Sequence, residues 1–202
     1  MRSASPDGLA SASAPVDTAN GRQPRDVDAW CLFLDRDGVI NARIMGGYVR
    51  SWEEFEFLPG ALEALKCLAA WAPRIVVVTN QQGVGKGLMT ELDLATIHAR
   101  MTEQIVAAGG RIDEVIACPH LSEEQCSCRK PRPGMALNYL AEHPEIDGSL
   151  SVMVGDTDSD IAMGRAIGES TGGCRVIRID KANDASSDAT YASLAAYAAT
   201  IC

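Results

Sequence analysis

The sequence predicts an α/β fold with a parallel sheet, and two observations lead to that prediction. Short apolar runs alternate along the chain with segments whose apolar residues recur at helical spacing, the order expected of strand–helix–strand units. Each apolar run is nearly continuous, as in strands that are covered by helices on both faces. A length of 202 residues suits one such domain with a sizeable core.

Five strands are predicted, one at each nearly continuous apolar run. They are Trp30–Leu34, Arg74–Val78, Glu114–Ala117, Leu150–Val154 and Arg175–Ile177. Polar motifs follow the first, second and fourth of these strands directly. Because ligands of parallel α/β sheets bind at the carboxyl ends of the strands, these motifs are expected to share one site.

The predicted helices lie between the strands and after the last one. The first begins after Gly60, carries leucines at helical spacing and ends before Pro73. The second begins near Thr90, whose hydroxyl can cap it, and Asp93 supports that start. Three more are predicted from Pro133 to about Ala141, from Asp158 to about Ile167 with an end near Gly168, and from Tyr191 to Ile201.

The first 28 residues differ in composition from the rest of the chain. They are rich in Ala, Ser, Asp and Pro and lack periodicity, so residues 1–28 are predicted to be a disordered leader and residues 29–202 a single domain. The leader lacks the basic start and the continuous apolar stretch of a signal peptide. A cytoplasmic protein is therefore expected.

The charge of the chain limits its partners. The formal net charge of -9 argues against nucleic acid or an anionic membrane surface. No apolar run approaches the roughly 18 residues of a membrane span. An anionic substrate would have to be met by a few local cations and a metal ion.

Carboxylates follow the first and fourth predicted strands. Asp35 and Asp37 come directly after the first strand, and residues two apart on an extended chain point to the same side. Gly38 permits the tight turn that follows, and Asn41 closes the same motif. Asp156 follows the fourth strand. Asp35, Asp37 and Asp156 are therefore candidate ligands of magnesium, a hard cation that prefers oxygen.

These acids predict phosphoryl-transfer chemistry. Asp35 is interpreted as a nucleophile that forms an aspartyl-phosphate, and Asp37 as the acid that protonates the leaving alkoxide and then activates water. Magnesium would offset the repulsion between Asp35 and the phosphate. Asp158 is expected to cap the helix that follows it, and Asp160 to bind or adjoin the metal. Alone, Asp-Arg-Asp-Gly could be a solvated turn, but motifs after three strands favour catalysis.

Side chains that could hold a phosphate group follow the second and third strands. Thr79 and Asn80 can donate hydrogen bonds to phosphate oxygens. Lys130 could neutralise the charge that grows during transfer, and Arg129 could bind a phosphate or hydroxyl group bidentately.

The glycine-rich segment 83–87 superficially resembles a nucleotide-binding P-loop. It departs from that pattern because Lys86 is followed by glycine instead of Ser or Thr. Two interpretations stay open for it: a mobile loop, or a loop in which Lys86 contacts the substrate.

Three cysteines and a histidine are concentrated in eleven residues before the Arg-Lys pair. Cys118, His120, Cys126 and Cys128 form a plausible closed tetrahedral zinc set, and four protein ligands indicate a structural metal. Its expected role is to fix the loop that carries the Arg-Lys pair; the alternative is an accidental cluster of reduced thiols. The other cysteines are expected to be reduced core or terminal residues, because seven cysteines do not suggest a disulfide framework: Cys31, Cys67, Cys174 and Cys202.

Together these motifs resemble those of the haloacid dehalogenase superfamily of phosphatases, from about Trp30 to the C-terminus. The matching positions are Asp35-Arg36-Asp37-Gly38, Thr79, Lys130, and Asp156 with Asp160. The resemblance implies a Rossmann-like three-layer fold, essentially without a cap domain, that acts as a monomeric, magnesium-dependent phosphatase. It also implies that the backbone carbonyl of Asp37 ligates magnesium.

The zinc motif narrows the resemblance to one branch. Cys-Pro-His followed by Cys-x-Cys-Arg-Lys-Pro is similar to a motif shared by D-glycero-D-manno-heptose 1,7-bisphosphate phosphatases and histidinol-phosphate phosphatases. The segments Gly47–Val49 and Glu54–Gly60 resemble the heptose enzymes, as does the glycine-rich segment, although Lys86 stands where many of them carry Arg. The short spacing from His120 to Cys126 resembles the histidinol-phosphate enzymes.

The expected substrate is therefore a small phosphorylated sugar or amino alcohol. Heptose 1,7-bisphosphate, cleaved at the 7-phosphate, is favoured, and histidinol phosphate is the alternative. A third hypothesis is a catalytically inactive, zinc-stabilised protein that binds phosphate esters. The intact set of acids and the lysine argues against it.

Overall fold

Six parallel strands form one central sheet in the order β3-β2-β1-β4-β5-β6. The computed structural model describes residues 29–180 and 185–202, so the predicted leader lies outside the described residues. The strands are β1 Cys31–Leu34, β2 Arg74–Asn80, β3 Glu114–Cys118, β4 Val152–Gly155, β5 Arg175–Ile179 and β6 Ala189–Tyr191. The predicted parallel sheet is confirmed, with a sixth strand that the sequence did not reveal.

Helices cover both faces of this sheet. They are α1 Ala61–Trp71, α2 Gln82–Gly85, α3 Glu91–Ala107, α4 Gly134–Glu142, α5 Asp158–Thr171 and α6 Leu194–Ala198. Three short 3-10 turns span Trp52–Glu54, Ser122–Glu124 and Gly148–Leu150. The start of α3 is as predicted, because Thr90 Oγ1 accepts from the Asp93 amide and Asp93 Oδ2 accepts from the Thr90 amide.

The alternation of side chains along β1 separates the two cores. Leu32 and Leu34 belong to an apolar cluster with side chains of α1, α3 and α6. Cys31 and Phe33 belong to a second cluster, on the opposite face, with side chains of α4 and α5. Because both faces of β1 are buried, its sequence is a continuous apolar run without polar alternation. The three-layer prediction is confirmed.

The segment between β1 and α1 is the longest connection at the carboxyl edge of the sheet. Within the part of the chain that the structure describes, it holds one 3-10 turn and no separate cap domain. This agrees with the expected capless architecture. None of the helices described is long and apolar enough to cross a membrane.

The C-terminal segment corrects one prediction. A single helix was expected over Tyr191–Ile201, but β6 ends at Tyr191 and α6 begins at Leu194. The physical reason is tertiary pairing: Ile177 of β5 lies in register with Ala189, which draws the segment onto the sheet edge. Ser193 then caps α6 by accepting a hydrogen bond from the Ala196 amide at 3.1 Å.

The predicted start of α5 at Asp158 is confirmed, but the predicted cap residue and the predicted end of the helix are wrong. Thr157, not Asp158, is the N-cap residue, and Asp158 is the first residue of the helix. The Asp158 carboxylate instead pairs with Arg178 Nη1 at 2.7 Å. The helix also continues through Gly168 to Thr171, and it ends at Gly172, whose φ of 92° suits a C-terminal glycine.

The expectation that all the cysteines outside the zinc motif are reduced is wrong for two of them. Cys67 of α1 and Cys202 are joined by a disulfide, with Cα atoms 6.2 Å apart. The partners are 135 residues apart in sequence and meet because α6 packs on α1. Cys31 and Cys174 are free, as expected.

Candidate active site

The strand register explains why distant polar residues meet. Leu34, the last residue of β1, is opposite Val77 of β2 and Val154 of β4. The Asp35 amide donates to the Val154 carbonyl at 2.9 Å, which fixes the carboxylate at the carboxyl edge of the sheet. The residues that follow the strands therefore converge at this edge, as the sequence motifs predicted.

Lys130 lies between two carboxylates at the centre of the site. Its Nζ atom is 2.6 Å from Asp35 Oδ1, 2.7 Å from Asp160 Oδ1 and 2.9 Å from the Val78 carbonyl oxygen. All three ammonium protons can therefore be donated. The Lys130 side chain is only 2% exposed, so these ionic contacts are shielded from water.

The pKa values of Asp35 and Lys130 are shifted by burial and by the neighbouring charges. Burial raises the pKa of Asp35 to about 7, and the nearby Asp160 carboxylate adds to the shift while Lys130 opposes it. Burial acts to lower the pKa of Lys130, but the two carboxylates outweigh it and the pKa is raised. The lysine therefore stays charged, and Asp35 depends on neighbouring cations to be ionised at neutral pH.

Asn80 positions the lysine from β2. Its Oδ1 accepts a hydrogen bond from the Lys130 amide at 3.0 Å, and its Nδ2 donates to the Lys130 carbonyl at 3.1 Å. The sequence predicted that Asn80 donates hydrogen bonds to phosphate. In the structure, both polar atoms of its side-chain amide bind the Lys130 backbone. Asn80 thus acts on the site through the lysine.

Asp37 is held by three side chains. Arg36 Nη2 lies 3.0 Å from both carboxylate oxygens, Asn41 Nδ2 is 2.9 Å from Oδ1, and Gln81 Nε2 is 2.7 Å from Oδ2. Gln81 also donates to Thr79 Oγ1 at 2.9 Å, which joins the end of β2 to this network. Although burial alone would raise the pKa of Asp37, these donors lower it, so its carboxylate is ionised in this arrangement.

Three oxygen-bearing groups surround a single cationic nitrogen. Arg43 Nη2 lies 2.8 Å from the Asp37 carbonyl oxygen, 2.7 Å from Asp156 Oδ1 and 3.6 Å from Asp35 Oδ2. The sequence predicts Asp35 and Asp156 as magnesium ligands, and the family resemblance implies the Asp37 carbonyl as a third. The three groups are oxygen donors that converge on one point, and oxygen donors suit a small, hard metal ion.

Gly38 permits the close approach of Asp156 to the loop that follows β1. Its φ of 94° lies in the left-handed region, and a Cβ atom here would overlap the Asp156 carboxylate. The Asp156 pKa is raised to about 6 by burial and by Asp160, with Arg43 opposing the shift. A side chain at position 38 would therefore displace a candidate metal ligand.

Asp160 was expected to bind or adjoin the metal, and it lies on the other side of Lys130. Its Oδ2 accepts from the Thr157 amide at 2.9 Å and from the Thr157 hydroxyl at 2.6 Å, while Oδ1 contacts the lysine. Its ligand atom lies within 4.8 Å of those of Asp35 and Asp156, close enough to share a metal. Both carboxylate oxygens of Asp160 already have partners, so we infer that Asp160 holds Lys130 in place and is not itself a metal ligand.

The predicted zinc residues form one cluster. The sulfur atoms of Cys118, Cys126 and Cys128 lie 3.2–3.5 Å apart, and His120 Nδ1 is 3.6 Å from the first and 3.2 Å from the last. A tetrahedron of Zn–S bonds has edges of about 3.8 Å, so the four donors are near the spacing that zinc requires. The soft donors and the closed geometry fit a structural zinc ion.

The cysteine cluster is directly continuous with the lysine loop. Arg132 Nη1 donates to the Cys126 carbonyl at 2.8 Å, and the Gly134 amide donates to the Ser127 carbonyl at 3.1 Å. Arg129 Nη1 lies 3.5 Å from the His120 carbonyl, so its guanidinium faces the cluster loop. These hydrogen bonds join the cluster to the segment that carries Lys130.

A cavity between the loop that follows β1 and the segment that follows α2 is lined partly by Lys86. It has a volume of about 410 Å³ and is lined by Ile44, Gly46, Gly47, Tyr48, Arg50, Glu54, Lys86 and Leu88. Lys86 Nζ is 3.1 Å from the Tyr48 hydroxyl. Two cations, Arg50 and Lys86, and the acid Glu54 thus line this cavity.

Comparison with known sequences identifies the family. Residues 127–178 match the HAD-hydrolase-like family model. The chain is 48% identical over 173 residues to a D-glycero-alpha-D-manno-heptose-1,7-bisphosphate 7-phosphatase of Mycobacterium tuberculosis (strain H37Rv), covering 85% of this chain and 91% of that protein. The chain belongs to the heptose-1,7-bisphosphate 7-phosphatase family. It is thus a phosphatase of the haloacid dehalogenase superfamily, as the motifs predicted.

Other members of the phosphatase family align less extensively. A D-glycero-beta-D-manno-heptose-1,7-bisphosphate 7-phosphatase of Pseudomonas putida is 37% identical over 137 residues, covering 68% of this chain and 77% of that protein. Among solved structures, the D,D-heptose 1,7-bisphosphate phosphatase of B. bronchiseptica, complexed with magnesium and phosphate, matches with a TM-score of 0.74 and 29% identity. It covers 85% of this chain and 97% of that one.

Four side chains that contact the site residues or one another were not predicted from the sequence. They are Arg36, Arg43, Gln81 and His98. Arg36 and Gln81 directly adjoin predicted motif residues, and that proximity was the available signal. Nothing in the local sequence connects His98 with Arg36, 62 residues earlier, because their contact depends on how α3 packs.

His98 acts as a neutral partner of the buried Arg36. Its Nε2 atom lies 2.9 Å from Arg36 Nη1, and the arginine side chain is fully buried. Because arginine can only donate, His98 Nε2 must accept and the ring proton must be on Nδ1. Burial and the Arg36 charge lower the pKa of His98 to about 3. His98 therefore holds the guanidinium that in turn holds Asp37.

This contact predicts a specific pH dependence of stability. Below pH 6.5 an unfolded histidine takes up a proton, whereas folded His98 does not until the pH nears 3, so its contribution to the free energy of unfolding falls as the pH is lowered. Relative to His98→Gln, wild type should lose about 1–2 kcal/mol between pH 7 and pH 5. Urea unfolding at several pH values measures this difference, and parallel curves for the two proteins would contradict it.

Proposed function

We propose that this protein hydrolyses the 7-phosphate of D-glycero-D-manno-heptose 1,7-bisphosphate through an aspartyl-phosphate on Asp35. The observation that carries the proposal is the buried Asp35–Lys130–Asp160 arrangement at the carboxyl edge of the sheet. An enzyme that passes through a phosphorylated carboxylate needs a cation fixed beside it, since charge accumulates there in the transition state. The proposed substrate is inferred from the family to which the chain belongs.

Asp35 is the proposed nucleophile. Its Oδ1 receives hydrogen bonds from the Arg36 amide at 2.7 Å and from Lys130 at 2.6 Å, which fixes the orientation of the carboxylate. Attack on phosphorus forms a bond between an Asp35 oxygen and phosphorus and breaks the bond between phosphorus and the sugar oxygen. Lys130 compensates the negative charge throughout this exchange.

Asp37 is the proposed acid and base. The leaving sugar oxygen needs a proton, and the same carboxylate then takes a proton from the water that attacks the aspartyl-phosphate. The donors around Asp37 favour its ionised form, which suits the second step. The charge of a bound phosphate would raise the pKa of Asp37 and so favour the protonated form that the first step requires.

Thr79, at the end of β2, is proposed to bind the transferred phosphate. Its side chain is almost fully buried and its hydroxyl accepts from Gln81, so the hydroxyl proton is directed away from Gln81 and is available to an anion. The phosphate of a bound substrate would then lie among Asp35, Thr79 and Lys130.

Magnesium is the proposed catalytic metal. Asp35, the Asp37 carbonyl and Asp156 would hold it, and when bound it offsets the repulsion between the nucleophile and the phosphate dianion. The spacing of these oxygens around the Arg43 nitrogen supports this assignment. A related heptose bisphosphate phosphatase has been solved as a complex with magnesium and phosphate.

Zinc is proposed to be structural and to be held by the four residues of the cysteine cluster. Replacing Cys126 by serine should reduce the bound zinc from about one equivalent to nearly none, because serine is a poor ligand for zinc. The melting temperature should fall, and phosphatase activity should fall with it as the Lys130 loop loses its anchor. Metal analysis and thermal unfolding of protein purified without added zinc measure both effects.

Cys174→Ser is the matched control, because Cys174 is a free thiol outside the cluster. It should leave the zinc content unchanged. Full zinc occupancy in Cys126→Ser, or its absence from wild type, would contradict the assignment.

Two observations bear on the substrate itself. The relative that is 48% identical acts on the α-anomer according to its name, whereas one that is 37% identical acts on the β-anomer. The cavity lined by Arg50 and Lys86 offers two cationic side chains to a second phosphate group, although Arg50 is paired with Glu54 at 3.1 Å. We therefore favour the α-anomer of the bisphosphate as substrate.

Steady-state phosphate release distinguishes the candidate substrates. The catalytic efficiency kcat/KM is measured with magnesium for the α-anomer, the β-anomer and histidinol phosphate. We expect the α-anomer to give the highest value and histidinol phosphate the lowest. A higher efficiency with histidinol phosphate, which the short spacing between His120 and Cys126 favours, would overturn the heptose assignment.

A further inference from the structure

Arg43 places a positive charge among the oxygens proposed to bind magnesium. Its Nη2 atom is 2.8 Å from the Asp37 carbonyl and 2.7 Å from Asp156 Oδ1, and its Nε is 3.3 Å from the same carbonyl. The side chain reaches these groups from an exposed loop and is 35% exposed itself. Arg43 is therefore held by an ion pair, but its side chain is exposed enough to move away from the site.

A guanidinium and a magnesium ion cannot share this position. Magnesium binds oxygen at about 2.1 Å, so an ion on the Asp37 carbonyl and Asp156 would overlap the Nη2 atom of Arg43. Binding of the ion therefore requires Arg43 to break its three hydrogen bonds to Asp37 and Asp156 and move away. Residues 43–47 are exposed, so the Arg43 side chain can move away into solvent.

The local charge balance explains why a removable cation is useful here. The ligand atoms of Asp35, Asp156 and Asp160 lie within 4.8 Å of one another, and Lys130 offsets only one of these three negative charges. Arg43 offsets a second one while it contacts Asp156 and Asp35. Without a cation at this position, the carboxylates would repel one another.

We propose that Arg43 is an internal cation that competes with magnesium for the Asp37 carbonyl and Asp156. It neutralises the site when no ion is bound, and magnesium must displace it, so Arg43 lowers the affinity of the protein for the metal. This inference rests on the magnesium site proposed above. It assigns to Arg43 a role in metal exchange that is separate from the identity of the substrate.

Calorimetric titration of the zinc-containing protein with magnesium chloride, without substrate, tests this competition. Arg43→Gln should bind magnesium about tenfold more tightly than wild type, equivalent to about 1.4 kcal/mol, because the ion no longer displaces a charge-assisted contact. Without magnesium, the melting temperature of Arg43→Gln should be below that of wild type. Saturating magnesium should narrow this difference.

Arg100→Gln is the matched control, because it removes the same charge from an exposed side chain of α3 whose nearest acid is Glu53 at 4.0 Å. It should bind magnesium as wild type does. Equal or weaker binding by both Arg43→Gln and Arg43→Ala would overturn the competition, and so would the absence of magnesium binding in every variant. Tighter binding by the variants, in a protein that hydrolyses no heptose bisphosphate, would support the competition and reject only the substrate.

Discussion

Replacing Asp35 by asparagine is expected to abolish phosphate release while the fold is retained. Asparagine preserves the size of the side chain and can accept hydrogen bonds from the Arg36 amide and Lys130, but its amide is not a nucleophile toward phosphorus. The rate should fall by about 10^4-fold or more, as it does when the nucleophile of other enzymes is removed. Phosphate release with heptose bisphosphate and magnesium measures the loss.

Asp158→Asn provides the control for this experiment. Asp158 is only two residues from Asp156, but its side chain is 96% exposed and pairs with Arg178. Its removal should change the rate by no more than about twofold, since an exposed ion pair contributes little. An Asp35→Asn enzyme with more than a few per cent of wild-type activity would show that another group attacks the phosphate.

Replacing Lys130 by methionine is expected to reduce both stability and activity. The substitution leaves Asp35 and Asp160 buried without their shared cation, and removing one partner from a buried ionic cluster costs about 3–5 kcal/mol. The rate should fall by about 10^2–10^3-fold, because the charge that grows during transfer loses its compensation. Urea unfolding and phosphate release measure the two effects.

The double variant Lys130→Met with Asp160→Asn separates structure from catalysis. Removing the second carboxylate should restore part of the free energy of unfolding, since less uncompensated charge stays buried. It should restore none of the activity, because the cation beside Asp35 is still missing. Recovery of activity in the double variant would mean that Lys130 serves only to hold Asp160.

Much of the fold could be predicted because its signals are local. The strands β1 and β4 are short apolar runs, and burial on both faces makes such runs continuous. The start of α3 is encoded within four residues by Thr90 and Asp93. The strand β6 could not be predicted in this way, because its three residues are too short a run to show a periodic pattern and are held by pairing with β5.

The same distinction applies to the site. Asp35, Asp156 and Lys130 could be located because each follows a strand, and parallel strands end at the same edge. The partners of Asn80, His98 and Cys67 could not, because each meets a residue at least 50 positions away through the packing of complete elements. The carboxylates were thus found from sequence, whereas the side chains that hold them had to be found in the structure.

Arg43 shows a different limit of sequence analysis. Arg43 lies between Asn41 and the segment Gly47–Val49 and belongs to neither motif, and the sequence predicted neither a cation there nor its contacts with the oxygens proposed to bind magnesium. Only the geometry reveals that a loop arginine reaches Asp156, 113 residues later. A substitution at this position would therefore be judged neutral from sequence, whereas the structure predicts a change in magnesium affinity.

Trapping the aspartyl-phosphate would show whether the phosphoryl group is transferred to Asp35. In Asp37→Asn, an aryl phosphate should still react, because its leaving group needs no proton, whereas hydrolysis of the intermediate should stall without a base. We predict a burst of about one aryl alcohol per enzyme, with one phosphoryl group on the peptide that contains Asp35, detected by mass spectrometry after acid quenching. Steady release of the alcohol without a phosphoryl group on the protein, or a phosphoryl group on another residue, would show that Asp35 is not the nucleophile.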